Sequence, residues 1–118
     1  MNVNKLLTDT LKITGLPVKQ DEYEGKEDKY IIFTYVDESP EAFADNKPGA
    51  DTVYIQLQLI TPKSFNYFEL KDKIRNLLEK ADFIVSSIHS FTGDKYQGTE
   101  KTRQTVYELS YTEGRTEE

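Results

Sequence analysis

The stretch from residue 51 to residue 83 constrains the fold most, because an alternating strand pattern runs directly into an amphipathic helix pattern. Apolar and polar side chains alternate in residues 52–60, as in a strand with one buried face, and apolar residues then recur at helical spacing in residues 70–81. The apolar positions are Val53, Ile55, Leu57 and Leu59 of the strand, and Leu70, Ile74, Leu77, Leu78 and Ala81 of the helix. This stretch predicts a sheet that is covered on one face by a helix.

Similar patterns predict the remaining elements. Residues 2–13 are predicted to be a helix, because apolar residues form a stripe after the N-cap candidate Asn2. Gly15 ends this helix, and Pro17 prevents a further helical turn. Residues 30–36, 83–91 and 104–112 are rich in β-branched and aromatic residues and are predicted to be strands. The polar residues 18–29 are interpreted as an extended arm or turn. Residues 37–50 and 92–103 contain glycine or proline and are interpreted as long loops.

These elements predict the α+β class, with a mainly antiparallel four-stranded sheet and two helices packed on one face. The order along the chain is α-β-β-α-β-β. A chain of 118 residues suits one domain. We expect that domain to span residues 1–112, because residues 113–118 lack apolar anchors and are predicted to be a disordered tail.

Composition limits the classes of function. The sequence contains no cysteine, which excludes disulfides, thiolate zinc sites and thiol nucleophiles. Its formal net charge of −6 disfavours nucleic-acid binding, which needs a local excess of lysine and arginine. The first residues lack a signal-peptide pattern, and no apolar run is long enough to span a bilayer. We therefore expect an intracellular protein without membrane or sequence-specific nucleic-acid partners.

The sequence offers little catalytic chemistry. His89 is the only histidine, and Ser87 on the same strand face lies about 7 Å away by strand rise, beyond hydrogen-bond reach. The acidic residues lack the Asp-x-Asp-x-Asp-Gly spacing of a calcium loop. We expect no enzyme activity, no cofactor and no metal site.

Two charged segments are the candidate interaction sites. The first is the predicted acidic loop, with Glu38, Glu41 and Asp45. The second is the predicted hairpin loop, where three basic residues surround an aromatic one: Lys95, Tyr96, Lys101 and Arg103. For the acidic residues, solvated loop charge is the favoured interpretation. For the basic residues, a hairpin tip that is solvated or paired with an acidic neighbouring subunit is favoured over contact with a phosphate backbone.

Over residues 6–111, the order of the predicted elements and the glycine and proline residues between them resemble those of one protein family. The matching segments are residues 14–18 after the first helix, 30–35, 44–46, 54–59, 70–78 and 104–111. In these segments the chain is similar to the small tail-completion proteins of long-tailed phages and prophages, which are also called tail terminators or tail-to-head joining proteins.

The resemblance implies a structural role in the virion. Such subunits close into a ring, commonly of six, at the head-proximal end of the tail tube, where the ring stops tube growth and joins tail to head. The implied partners are copies of the same chain, the tail-tube protein and the head connector proteins, and the implied locations are the virion and the bacterial host cytoplasm. The resemblance carries over no catalytic residue. The alternative is a small stand-alone binding module, similar to an inhibitor, that uses the exposed sheet face.

Overall fold

A computed structural model of the chain describes residues 3–44, 47–97 and 100–114, with side chains in 3–37, 52–93 and 100–112. These described residues form two α-helices, one short 3-10 helix and five strands. In chain order they are α1 (Val3–Leu11), the 3-10 helix (Lys12–Thr14), β1 (Val18–Gln20), β2 (Tyr30–Ala44), β3 (Lys47–Pro62), α2 (Phe68–Lys80), β4 (Ile84–Gln97) and β5 (Glu100–Gly114).

The strands form one mixed sheet in the order β1-β2-β3-β5-β4. The α+β class stands, but the predicted four-stranded antiparallel sheet is wrong. The sheet has five strands, and β1 pairs in parallel with β2 from Val18 opposite Ile31 to Gln20 opposite Phe33. Such a short strand leaves no alternating pattern in the sequence. Backbone hydrogen bonds form it, including Ile31 N–H to the Pro17 carbonyl at 2.8 Å.

The two predicted long loops are wrong as well, because most of their residues extend the strands of two long hairpins. β2 and β3 stay paired from Tyr30 opposite Ile60 to Ala44 opposite Lys47. Pro40 lies on β2, whose outer side is unpaired at that point among the described residues, so its missing N–H is tolerated there. In the second hairpin, β4 and β5 continue beyond a register shift between Thr92 and Tyr96.

One apolar core lies between the helices and a single face of the sheet. The alternating face of β3 provides its centre, as predicted, and neighbouring strands add Phe33 and Leu109 at matching register. Both helices contribute buried residues to this cluster: Val3, Leu7 and Leu11 from α1, and Ile74 and Leu78 from α2. The remaining apolar residues predicted for the α2 stripe, Leu70, Leu77 and Ala81, are half-buried against it.

A residue in the left-handed backbone conformation follows the 3-10 helix, and another follows α2. Gly15 ends the 3-10 helix with φ 77°, as the sequence predicted. After α2, Asp82 takes that conformation with φ 72°. The Phe83 N–H then donates to the Leu78 carbonyl at 3.0 Å, and the Asp82 N–H donates to the Glu79 carbonyl at 3.1 Å. This is a Schellman arrangement, and it turns the chain so that Phe83 enters the core.

A buried tyrosine joins α2 to the middle of the sheet. The Tyr107 ring is fully buried, and its hydroxyl donates a hydrogen bond to the Lys71 carbonyl oxygen at 2.8 Å. Burial raises the pKa of Tyr107 above its usual range, and the nearby Asp72 carboxylate adds to the effect. The helix is therefore held at a fixed position along β5.

Truncation of the α2 stripe tests the core. We expect Leu78→Ala to lower the free energy of unfolding by about 2–5 kcal/mol, because it removes a fully buried side chain and leaves a cavity. The measurement is chemical denaturation followed by circular dichroism. The exposed neighbour Asn76→Ala is the matched control and should change stability by less than about 0.5 kcal/mol. Equal effects of the two changes would contradict the assigned face of α2.

The Tyr107 hydroxyl predicts a pH dependence. The unfolded chain ionises at a tyrosine pKa of about 10, whereas the folded protein holds the proton to higher pH. The unfolded state then binds fewer protons, so the free energy of unfolding should fall as pH rises above about 10. Tyr107→Phe should make this fall smaller. The raised pKa of Tyr30 contributes equally to both proteins. Identical pH profiles in urea denaturation would count against the buried hydroxyl.

Candidate assembly surface

Two of the three predicted acidic contact residues lie on the β2–β3 hairpin rather than in a loop. Glu38 and Glu41 are backbone positions of β2, opposite Val53 and Ala50, and Asp45 lies outside the described residues. Their side chains are not among those that the structure describes. Glu38 and Glu41 thus belong to a strand at the edge of the sheet.

The predicted basic contact residues lie along the β4–β5 hairpin, at the opposite end of the sheet. Lys95 and Tyr96 are backbone positions of β4, outside the described side chains, and Tyr96 pairs with Lys101, whose side chain is exposed. Because β3 and β5 are antiparallel, with Ala50 opposite Gly114 and Pro62 opposite Thr102, the two hairpins point in opposite directions. The structure therefore does not bring the two predicted segments together.

Arg103 differs from the other predicted basic contact residues because its side chain packs against α2. Its side chain is half-buried, and its guanidinium carbon lies 4.7 Å from the centre of the Tyr67 ring at the start of α2. Tyr67 in turn stacks on Phe68, with ring centres 4.8 Å apart. The Arg103 Nε atom is buried without a hydrogen-bond partner. The Arg103 side chain therefore links β5 to the residues at the start of α2.

A groove lies between α2 and β4. It encloses about 610 Å³ and is lined on one side by Tyr67, Lys71, Asp72 and Arg75 of the α2 region, and on the other by residues 85–90 of β4. β4 is the last strand of the sheet, so its outer backbone edge is unpaired within the described parts of the chain. A groove between a helix and an open strand edge suits an added extended segment.

The opposite edge of the sheet is also open in part. β1 pairs with β2 only from Ile31 to Phe33, and beyond that point no strand among the described residues pairs with the outer side of β2. A bulge follows, because Tyr35 is opposite Ile55 and Asp37 is opposite Tyr54, which leaves Val36 as an extra residue. β4 has a matching irregularity at Ser86. Both open edges are thus interrupted, as natural sheet edges often are.

The sheet face opposite the helices carries mixed chemistry. Gln56 and Gln58 lie on it half-buried, as the alternation predicted, and Ile60 and Val106 are buried there outside the main core. A cleft of about 300 Å³ crosses one end of the sheet, where it is lined by residues that include Val36, Asp37, Tyr54, Ser86 and Glu108. Tyr54 is therefore on the surface, whereas Tyr107 and Tyr111 belong to the core.

His89 lies exposed on β4, where its ring stacks on Phe91 with centres 6.4 Å apart. The neighbouring hydroxyls have structural partners: Ser86 donates to the Glu108 carbonyl at 3.0 Å, and Ser90 bonds Thr105 at 3.0 Å. Within the described residues, no three His, Asp or Glu side chains group as a metal site. Over the same residues, no helix combines the length and apolar character needed to cross a bilayer.

The residues along the two open edges are the part that sequence reasoning missed. Among the described side chains, seven large apolar ones are exposed, and four of these lie on the open edges. They are Tyr35 at 41%, Val36 at 64%, Ile84 at 61% and Phe91 at 46% exposure. The available signal was that residues 30–36 and 83–91 carry apolar residues on both faces of a predicted strand.

No protein-family model matches the sequence, and a search of curated proteins finds no significant match. The tail-completion resemblance therefore stands on the quoted segments alone.

The contact between Arg103 and Tyr67 predicts an energetic coupling. A double-mutant cycle of Arg103→Met and Tyr67→Leu should give a coupling free energy of about 0.5–2 kcal/mol, the range of a partly desolvated cation–π contact. Urea denaturation of the four proteins measures it. The control cycle replaces Tyr67→Leu by Asn76→Ala, on the exposed side of α2, and should be additive. Additivity in both cycles would show that Arg103 does not hold the helix.

Proposed function

We propose that the protein is a structural assembly subunit of the phage tail-completion class. In this role it forms a ring at the head-proximal end of a tail tube, ends the growth of the tube and joins tail to head. The observation that carries the proposal is a sheet with one face sealed by helices and both of its edges open, with exposed apolar residues along them.

Open edges on opposite sides of one sheet favour a head-to-tail contact between copies. In such a contact the two surfaces differ, so each subunit offers one edge and receives the other. When the rotation between neighbours closes, repetition of the contact gives a ring, and a ring of six is the size that the family resemblance implies. A cyclic arrangement would use both edges of every subunit.

The elongated shape supports contacts with two different partners along the ring axis. The subunit measures 57 × 24 × 22 Å, and its two hairpins extend in opposite directions along the strands. A ring of subunits with strands near the axis direction would present the acidic β2–β3 hairpins on one rim and the β4–β5 hairpins on the other. One rim would meet the tail-tube protein and the other the head connector.

The acidic charge suits a ring through which DNA passes. Each subunit carries a formal net charge of −6, so a ring multiplies the negative field near its opening. Phosphates are repelled by such a field, which would let DNA slide past without adhering. The same charge disfavours a role as a nucleic-acid binder.

The alternative, a monomeric binding module that acts through the open sheet face, makes a different prediction. A module of that kind would bind one partner protein and have no effect on polymerisation of a tail tube. The cleft at Val36 and Tyr54 would be its natural contact site.

A tube-growth assay tests the proposed function. The tail-tube protein encoded by the same genome is polymerised with and without the purified chain, and tube lengths are measured by negative-stain electron microscopy. We expect shorter tubes with the chain at one end only. Because the sequence has no cysteine, Asn76→Cys on the exposed side of α2 accepts a gold label at a single site. Unchanged lengths and unlabelled tube ends would favour the binding module.

A further inference from the structure

We infer that an extended acidic segment of a partner protein adds as a strand to the β4 edge, beside the groove that α2 lines. Its acidic side chains enter the groove, and the alternate, apolar side chains lie on the sheet face opposite the helices. The inference goes beyond the proposed function and does not rest on it, because it assigns a ligand chemistry to the groove. The groove flanks only residues 85–90 of a strand that continues to Gln97, so the rest of this edge stays available to neighbouring copies.

The β4 backbone provides the groups that pair with the segment. β4 is the last strand of the sheet, so alternate N–H and C=O groups on its outer side have no partner strand among the described residues. The irregularity at Ser86 lies near one end of the groove, and pairing with β5 is regular over residues 87–92. Residues 85–90 span about 20 Å of extended chain at the usual rise per residue. An extended segment of about seven residues therefore fits this edge.

The two faces of β4 differ in exposure. Val85 and Ile88 are half-buried on the helix side, because their partners on β5 belong to the core. Ile84, His89 and Phe91 are exposed on the opposite side. A strand added beside β4 continues both faces, so every second side chain faces α2 and the others extend the open face.

The α2 wall of the groove is locally basic. Lys71 and Arg75 line it against one acid, Asp72, and residues 84–91 contain no acidic residue. The Arg75 Nε atom contacts Glu79 at 3.5 Å, but an exposed pair of this kind is weak and leaves the guanidinium accessible. The chain as a whole has a formal net charge of −6, so this positive excess is local. It favours acidic side chains in the groove and disfavours basic ones.

The open face beside β4 favours a different chemistry. Glu108 is exposed opposite Ser87, and its carboxylate would repel acidic side chains on this face. Ile84 and Phe91 are exposed on the same face and would be partly buried by apolar neighbours. The partner segment is therefore acidic on one side and apolar on the other.

A labelled peptide tests the inference. The probe is a capped peptide of about seven residues in which glutamate and valine alternate, and its binding is measured by fluorescence anisotropy. The matched peptide has lysine in place of glutamate. We expect the glutamate peptide to bind at least about tenfold more tightly than the lysine peptide. Equal binding of the two peptides, or binding of neither, would overturn the inference.

Charge reversal on α2 locates the site. Lys71→Glu combined with Arg75→Glu should weaken binding of the glutamate peptide by about tenfold or more and make the lysine peptide the tighter ligand. The control is Lys73→Glu combined with Lys80→Glu, which changes the net charge equally at exposed positions outside the groove lining. Circular dichroism confirms that each variant is folded. Equal losses in the two double variants would show an effect of net charge alone and would contradict the assigned groove.

Backbone pairing has a separate readout. In an added strand only every second N–H of the peptide faces β4. Of two peptides N-methylated at the glutamates or at the valines, we expect one to lose binding and the other to keep it. Hydrogen exchange should also show new protection of amides in residues 84–91 when the peptide binds. Equal effects of the two methylations would reject strand addition. Protection of these amides in the free protein that rises with protein concentration would assign the edge to a second copy instead.

Discussion

The pairing of β3 on both of its sides is the constraint on which the rest of the structure depends. β3 exchanges hydrogen bonds with β2 and β5, and its inward face supplies the centre of the core. Residues such as Leu57 and Leu59 are fully buried there, and each fully buried side chain of this kind is worth about 1.5–3 kcal/mol of apolar burial. Strand pairing and apolar burial both depend on β3, so a change that displaces this strand would disrupt the sheet and the core together.

Because the core is centred on β3, the outer strands of the sheet are available for contacts. α2 is fixed from two directions, by Tyr107 from the sheet and by the guanidinium of Arg103 at its start. The groove wall is therefore held to the sheet by two contacts, although the strand beside it has no outer neighbouring strand within the described residues.

Sequence periodicity predicted the elements that are defined by apolar burial and missed the strands that are defined by backbone pairing. The alternation in β3 and the helical stripe of α2 were correct because apolar residues on one face leave a repeating pattern. β1 escaped prediction because Val18–Gln20 joins the sheet through its backbone. The extensions of the hairpins were read as loops because Pro40 and Gly93 normally end strands, yet both occur here in edge strands. The groove combines α2 with β4, and its shape followed from no single stretch of sequence.

The short strand β1 has a consequence for the subunit before it finds any partner. The run from Tyr30 to Phe33 is apolar and strongly β-prone, and an unpaired edge of such a strand can pair with another chain. β1 covers the edge at Ile31–Phe33 and leaves only the bulged, acidic remainder of β2 open. Three residues of backbone pairing thus cover the most apolar part of this sheet edge, where an unpaired strand would favour pairing with another chain.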